Sequence, residues 1–237
     1  MEENATFMGK KLIIVPAYNE AENIEKTIND IVSHTNYDYV IVDDSSNDHT
    51  KEVCRHNGFN ILSLPVNYGL TSGVQLGMKY AYKKGYDIAI QFDGDGQHKA
   101  KYLPALVAEI EKGTCDVAIG SRYATVKRPK NWRMLGSRLI SWGIKVSTLK
   151  TINDPTSGMR AYNKQIIKEF NEDASLTPEP DTLVYLLKKG KRILEIQVDM
   201  DEREFGESYL TPFKSMEYMI HMFFMIIFIR AFTRGRK

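Results

Sequence analysis

Ile88-Ala89-Ile90-Gln91-Phe92-Asp93-Gly94-Asp95-Gly96-Gln97-His98 runs from a β-rich apolar segment directly into two carboxylates one residue apart. Side chains alternate along an extended chain, so both aspartates can aim at one point from the carboxyl end of a strand. Oxygen donors of this kind suit a hard divalent cation, Mg²⁺ or Mn²⁺, which is commonly completed by substrate phosphate oxygens and water. A nucleotide-sugar diphosphate is a natural third party, and Gly94 and Gly96 let the backbone come close to it. The letters Asp-Gly-Asp-Gly also make turns, so the rest of the chain has to decide between the two readings.

Working outward, Lys11 to Val15, Tyr39 to Val42, Ile61 to Leu64 and Val117 to Ile119 are further short β-rich runs, each short enough to be a buried strand. Ile24, Ile28 and Ile31 recur at helical spacing between them, as do Val74, Met78 and Ala81. The first half therefore reads as an α/β chain, strand and helix alternating around a mostly parallel sheet flanked by helices. Ligands of such sheets bind at the carboxyl ends of the strands. The residues found there are Pro16-Ala17-Tyr18-Asn19-Glu20, Asp43-Asp44-Ser45-Ser46 and Asp93-Gly94-Asp95, three polar clusters expected on one edge.

The 237 residues are 43% hydrophobic, enough for one substantial core. A net charge of +2 is too small to point to nucleic acid, although basic residues crowd into Lys127 to Arg138 and Arg230 to Lys237. Cys54 and Cys115 form neither a metal-binding pair nor a disulfide framework, which fits a reducing cytosol, and the polar Met1-Glu2-Glu3-Asn4 start shows no signal peptide. Tyr218 to Ile229 is almost wholly apolar, yet about half the roughly 20 residues needed to span a bilayer. Followed by Arg230, Arg234, Arg236 and Lys237, it reads either as a helix lying in a membrane interface or as a buried core or oligomer helix.

Five motifs in order, Pro16-Ala17-Tyr18-Asn19-Glu20, Val42 to Thr50, Asn67-Tyr68-Gly69, Asp93 to His98 and Gly120-Ser121-Arg122, resemble those of family 2 glycosyltransferases. Within that family the chain is most similar to dolichyl- and polyprenyl-phosphate sugar synthases, through Asp154-Pro155-Thr156-Ser157-Gly158-Met159-Arg160 and Arg203-Glu204-Phe205-Gly206-Glu207-Ser208. The resemblance implies a GT-A fold, with a Rossmann-like sheet, over residues 1–210, and a membrane-associating or oligomerising helix over 211–237. It also implies that Pro16, Tyr18, Glu20, Val42 and Asp44 hold the nucleoside, with Asp93 and Gly94 beside it. Asp95 is then the first choice for direct metal ligation, helped by Asp93 and Gln97, and His98 is a ligand, a sugar contact or simply the start of a loop. Arg122, Arg138, Arg160 and Arg203 are candidates to grip phosphates, because a guanidinium offers a bidentate fork. Asp48 and Thr50 read as helix-capping residues.

The reaction so implied is inverting, metal-dependent transfer of one sugar from a nucleotide diphosphate sugar, with uridine (UDP-GlcNAc or UDP-Glc) favoured. The acceptor is undecaprenyl phosphate, for cell-surface polysaccharide assembly on the cytoplasmic face of the membrane. A hydroxyl acceptor would instead require a general base, for which Asp154 and Glu179 are the candidates. A non-catalytic nucleotide-sugar-binding scaffold is the reading from another class. Tyr209 stands where many such synthases have lysine, and the long membrane hairpins of many relatives are replaced by the short Tyr218 to Ile229 segment. That departure raises a small membrane protein, or a second copy of the chain, as a partner.

Overall fold

The apolar runs become neighbours in a single sheet. The computed structural model describes residues 9–129, 134–201 and 212–232. Within them β1 (Lys11–Ala17), β2 (Asp38–Asp43), β3 (Ile61–Ser63), β4 (Ile88–Phe92), β5 (Val117–Ser121), β6 (Met159–Asn163) and β7 (Ile193–Gln197) form one sheet in the order β3-β2-β1-β4-β6-β5-β7. All run parallel except β6, which is antiparallel to both β4 and β5. β4 has the expected bounds, and β1 runs on through Pro16 and Ala17 in register with Val42 and Asp43.

Helices cover both faces, which is why β4 is buried at every residue rather than alternating with solvent. On one face Ile13 and Val15 pack against Ile24, Ile28 and Ile31 of α1 (Ile24–His34) and against α4 (Leu103–Glu111), with Cys54 of α2 (Thr50–His56) in the same cluster. On the other, Leu12 and Ile14 meet Val74, Met78 and Ala81 of α3 (Leu70–Lys84), together with α5 (Leu135–Thr148), α6 (Lys164–Glu172) and α7 (Pro180–Lys188). Gly77 lets α3 approach β1, since a Cβ there would stand 2.3 Å from Ile14.

α8 (Pro212–Phe232) closes the second face and packs on α5 and α7. Gly136 and Gly143 of α5 make room for Met219, Phe223 and Ile226, and Met222 and Ile226 are buried. Ile220, Phe224, Met225 and Phe228 on the same helix remain exposed, so α8 has both a core side and an open apolar side. Among the described residues no helix is long and apolar enough to cross a membrane.

Gly77→Ala gains about 1 kcal/mol of helix propensity but overpacks a fully buried Ile14, and is expected to lower stability by about 1–2 kcal/mol net in urea unfolding. Burial pushes the Cys54 thiol up to about 11 and also raises Cys115. Neither thiol should react with a maleimide at pH 8 in the folded chain, and both should react once it is denatured.

Candidate active site

The carboxyl ends of β1 and β2 bring together the residues expected around a nucleoside. Pro16 is buried and Tyr18 half-buried just beyond β1, where the Tyr18 hydroxyl accepts from Asn47 Nδ2 at 3.3 Å. Glu20 is buried: its N–H donates to Thr50 Oγ1 at 2.9 Å and its carboxylate accepts from Asn23 Nδ2 at 2.7 Å. Asp44 accepts from the backbone N–H groups of Tyr68 (2.8 Å) and Gly69 (2.6 Å), which fixes the entry to α3 and leaves further carboxylate lone pairs for another donor. The Val42 side chain is fully buried in the core, where it supports the ends of β1 and β2 from behind. Asp48 accepts from both the N–H and the hydroxyl of Thr50 at the start of α2.

The acidic pair follows β4 on the same edge. Gly94 joins the two halves of the site: a Cβ there would stand 3.0 Å from the Pro16 carbonyl, and its own carbonyl accepts from Thr27 Oγ1. Asp93 accepts from Gln91 Nε2 at 3.2 Å, and its carboxylate presses on Gly158, where a Cβ would stand 1.7 Å away. Burial, and after it the charge of Asp95, pushes the Asp93 carboxyl up to about 7. Asp95 accepts from the Gln97 N–H at 3.1 Å. The Gln97 side chain reaches the Asp201 carbonyl at 3.4 Å, so in this state it braces the loop after β7.

His98 is buried against Phe92, with Nε2 3.9 Å from Asp93. Burial drives it down to about 4, against the pull of Asp95, so it is a neutral imidazole. Among the described residues no group of three or more His, Cys, Asp and Glu side chains converges as for a metal ion. A cation here would rest on the Asp93–Asp95 pair, with other oxygens completing it. The mutual repulsion of those carboxylates in a buried setting is what a divalent cation removes, so the pair fits one.

The arginines separate into different roles. Arg122, just after β5, donates from Nε and Nη2 to the two oxygens of Asp154 at 2.8 Å each, and its N–H donates to the same carboxylate. Asp154 is fully buried, and its own N–H is taken by Glu195 at 2.7 Å. As a candidate base it is therefore corrected: its oxygens are committed to aiming Arg122. Glu179, at the start of α7, is likewise engaged, by the Thr71 and Tyr218 hydroxyls. Arg160 is corrected too, since it is buried and its guanidinium is spent on backbone carbonyls, leaving no fork for a phosphate. Arg203 and the Gly206-Glu207-Ser208 segment lie outside the described residues.

Arg138 donates to the Pro129 carbonyl and lines a cavity of about 400 Å³ together with Tyr123, Lys127, Arg128, Ser141 and Asn153. The Arg122 and Arg128 guanidiniums sit 5.4 and 5.3 Å from the centre of the Tyr123 ring, and Arg128 donates to Ser141 Oγ at 2.9 Å. Tyr123, Ser141, Gln91 and Glu195 carry no motif of their own, and only their neighbourhood in the fold places them at the site.

A family model described as glycosyl transferase family 2 matches residues 12–170. The chain is 32% identical over 230 residues to the dolichol-phosphate mannosyltransferase of Pyrococcus furiosus, covering 90% of this chain and 63% of that protein's length. It is 29% identical to the undecaprenyl-phosphate mannosyltransferase of Micrococcus luteus, covering 84% of this chain and 87% of the relative. In fold it resembles glucosyl-3-phosphoglycerate synthase from Mycobacterium tuberculosis, crystallised with Mn²⁺, UDP-glucose and phosphoglyceric acid. The TM-score is 0.69 at 14% identity, covering 94% of this chain and 80% of that one.

The contact between Gly158 and Asp93 gives a direct test of the acidic pair. Gly158→Ala should displace the Asp93 carboxylate and weaken Mn²⁺ binding by about tenfold or more in a paramagnetic titration, with the circular dichroism spectrum unchanged. An unchanged Mn²⁺ affinity would exclude Asp93 from cation binding.

Proposed function

The chain belongs to glycosyl transferase family 2, a family of glycosyltransferase enzymes, and from that premise we propose that it moves one monosaccharide from a nucleotide diphosphate sugar to a polyprenyl phosphate such as undecaprenyl phosphate. The observation that carries the acceptor assignment is the double character of α5. Its Arg138 and Ser141 line the basic cavity, while Leu135 and Trp142 are exposed on the same helix at 55% and 54%. Trp142 stacks on Phe223 of α8 with ring centres 5.7 Å apart, and Phe224 and Phe228 extend the open apolar surface. Adjoining basic and apolar subsites fit a ligand with a phosphate head and a hydrocarbon chain.

In this reading an acceptor phosphate oxygen attacks the anomeric carbon from the side opposite the diphosphate. The new carbon–oxygen bond forms as the bond to the diphosphate breaks, the diphosphate leaves with the electron pair, and the anomeric centre inverts. A phosphate monoester is already largely ionised near neutral pH, so no general base is needed. The commitment of Asp154 and Glu179 to other partners agrees with that. Arg122, aimed by Asp154, offers its remaining donors to the leaving diphosphate. A Mg²⁺ or Mn²⁺ on Asp93 and Asp95 would offset the charge developing there. The neighbour crystallised with Mn²⁺ and UDP-glucose supports both the cation and a uridine donor. The open apolar sides of α5 and α8, followed by the basic C-terminal sequence, support a peripheral seat on the anionic inner face of the membrane.

The test is transfer of radiolabelled sugar from UDP- and GDP-sugars to undecaprenyl phosphate in vesicles, with Mn²⁺ or with chelator. Product should require the cation, and Asp95→Asn should lower the rate about 100-fold or more. Arg138→Ala should raise the acceptor KM about tenfold while leaving the donor KM alone. A donor that binds without any lipid phosphate being glycosylated would sink the acceptor assignment.

A further inference from the structure

The group that binds the loops of the site to one another has almost no surface of its own. Arg160 sits on β6, between Gln91 of β4 and Ile119 of β5, and is 2% exposed. Nε donates to the Ser157 carbonyl at 2.9 Å, Nη1 to Pro178 at 2.7 Å and Nη2 to Pro155 at 2.6 Å. Among the described residues it makes no salt bridge: its contacts are carbonyl oxygens, and the Asp93 and Asp181 carboxylates act on it only at longer range. Burying a guanidinium without a carboxylate in contact is costly. The three bonds nevertheless all end on the segments that build the site. Pro155 and Ser157 flank the turn between Asp154 and Gly158, and Pro178 immediately precedes Glu179.

We propose that Arg160 is a positioning residue for the cation-binding half of the donor site, holding the 154–158 segment so that Gly158 backs the Asp93 carboxylate and Asp154 aims Arg122. The proposal rests on the reading of Asp93 and Asp95 as the cation pair. A planar guanidinium reaches three acceptors in three directions at once; an ammonium on a shorter, flexible stem does not. Ser157 ties the same segment to β5, its hydroxyl donating to the Gly120 carbonyl at 2.6 Å, so two side chains independently fix this turn against the sheet. The nucleoside residues at the ends of β1 and β2 receive no bond from Arg160, and this separation makes the role measurable.

The experiment measures calorimetric binding of UDP and of GDP, each with Mn²⁺ and with chelator, to the wild-type chain, Arg160→Lys, Arg160→Met and Ser157→Ala. In the wild type Mn²⁺ should tighten binding of the preferred nucleotide. In both Arg160 variants the metal-free affinity should stay within about twofold while the tightening by Mn²⁺ falls about tenfold or more. Ser157→Ala, a smaller change that should fold even if the arginine variants do not, should show the same split at lower amplitude. Full tightening by Mn²⁺ in the folded variants, or an equal loss with and without metal, overturns the positioning role. Absence of tightening in the wild type overturns the cation reading and this proposal together, whereas failure of transfer to lipid phosphate leaves the binding result standing.

Discussion

The antiparallel pairing of β6 between β4 and β5 is the constraint on which the site depends. Phe92 of β4 lies opposite Met159 of β6, so the residue after one strand meets the residue before the other: Asp93 against Gly158. Had β6 run parallel like its neighbours, its preceding loop would open on the far edge of the sheet. The reversed strand instead delivers Asp154, Ser157 and Gly158 to the edge where the parallel strands end, and a parallel sheet gains the second wall it otherwise lacks there. Only glycine fits at 158, because any Cβ would stand inside the carboxylate.

What this wall achieves is preorganisation. Arg122 is held by a buried carboxylate, Asp154 is held through its N–H by Glu195 of β7, and the turn that follows is held by Arg160 and Ser157. Each of these groups has lost water, and such networks stabilise only when every member is satisfied. Their value lies in geometry more than in net stability: a guanidinium already aimed needs no reorganisation when charge develops on a leaving group. The acidic pair is the strained member, where burial and, after it, the charge of Asp95 push the Asp93 carboxyl up to about 7. A divalent cation held between these two carboxylates would relieve that repulsion.

The sequence disclosed the parallel half of the fold well, because its strands are continuous apolar runs and its helices have clean apolar faces. Ile24, Ile28 and Ile31 were legible from spacing alone, as was β4 to the residue. β6 and β7 were not, since Met-Arg-Ala-Tyr-Asn and Ile-Leu-Glu-Ile-Gln interrupt their apolar positions with Arg160 and Glu195, whose polar groups bond to loops. The same cause explains the misreadings at the site. A carboxylate looks like a base and an arginine like a phosphate grip until the partner is known. Asp154 finds its partner 32 positions away, while Arg160 finds three carbonyls that carry no sequence signature at all.

The C-terminal helix packs one side into the core and leaves the other side apolar and exposed. A largely apolar helix packed on one side only leaves apolar residues on the other, and here the packed side is set by the glycines of α5. Met222 and Ile226 enter the core through the space that Gly136 and Gly143 leave, so the opposite residues, Phe224 and Phe228, are turned outward by the helical period. Because α5 also carries Arg138 and Ser141, the packing that buries half of α8 sets the outward apolar side next to the basic cavity. Substituting bulk at Gly143 would therefore act on more than the core: a Cβ there stands 3.1 Å from Phe223, the ring on which Trp142 stacks, so any shift moves the open apolar surface relative to the cavity beside it.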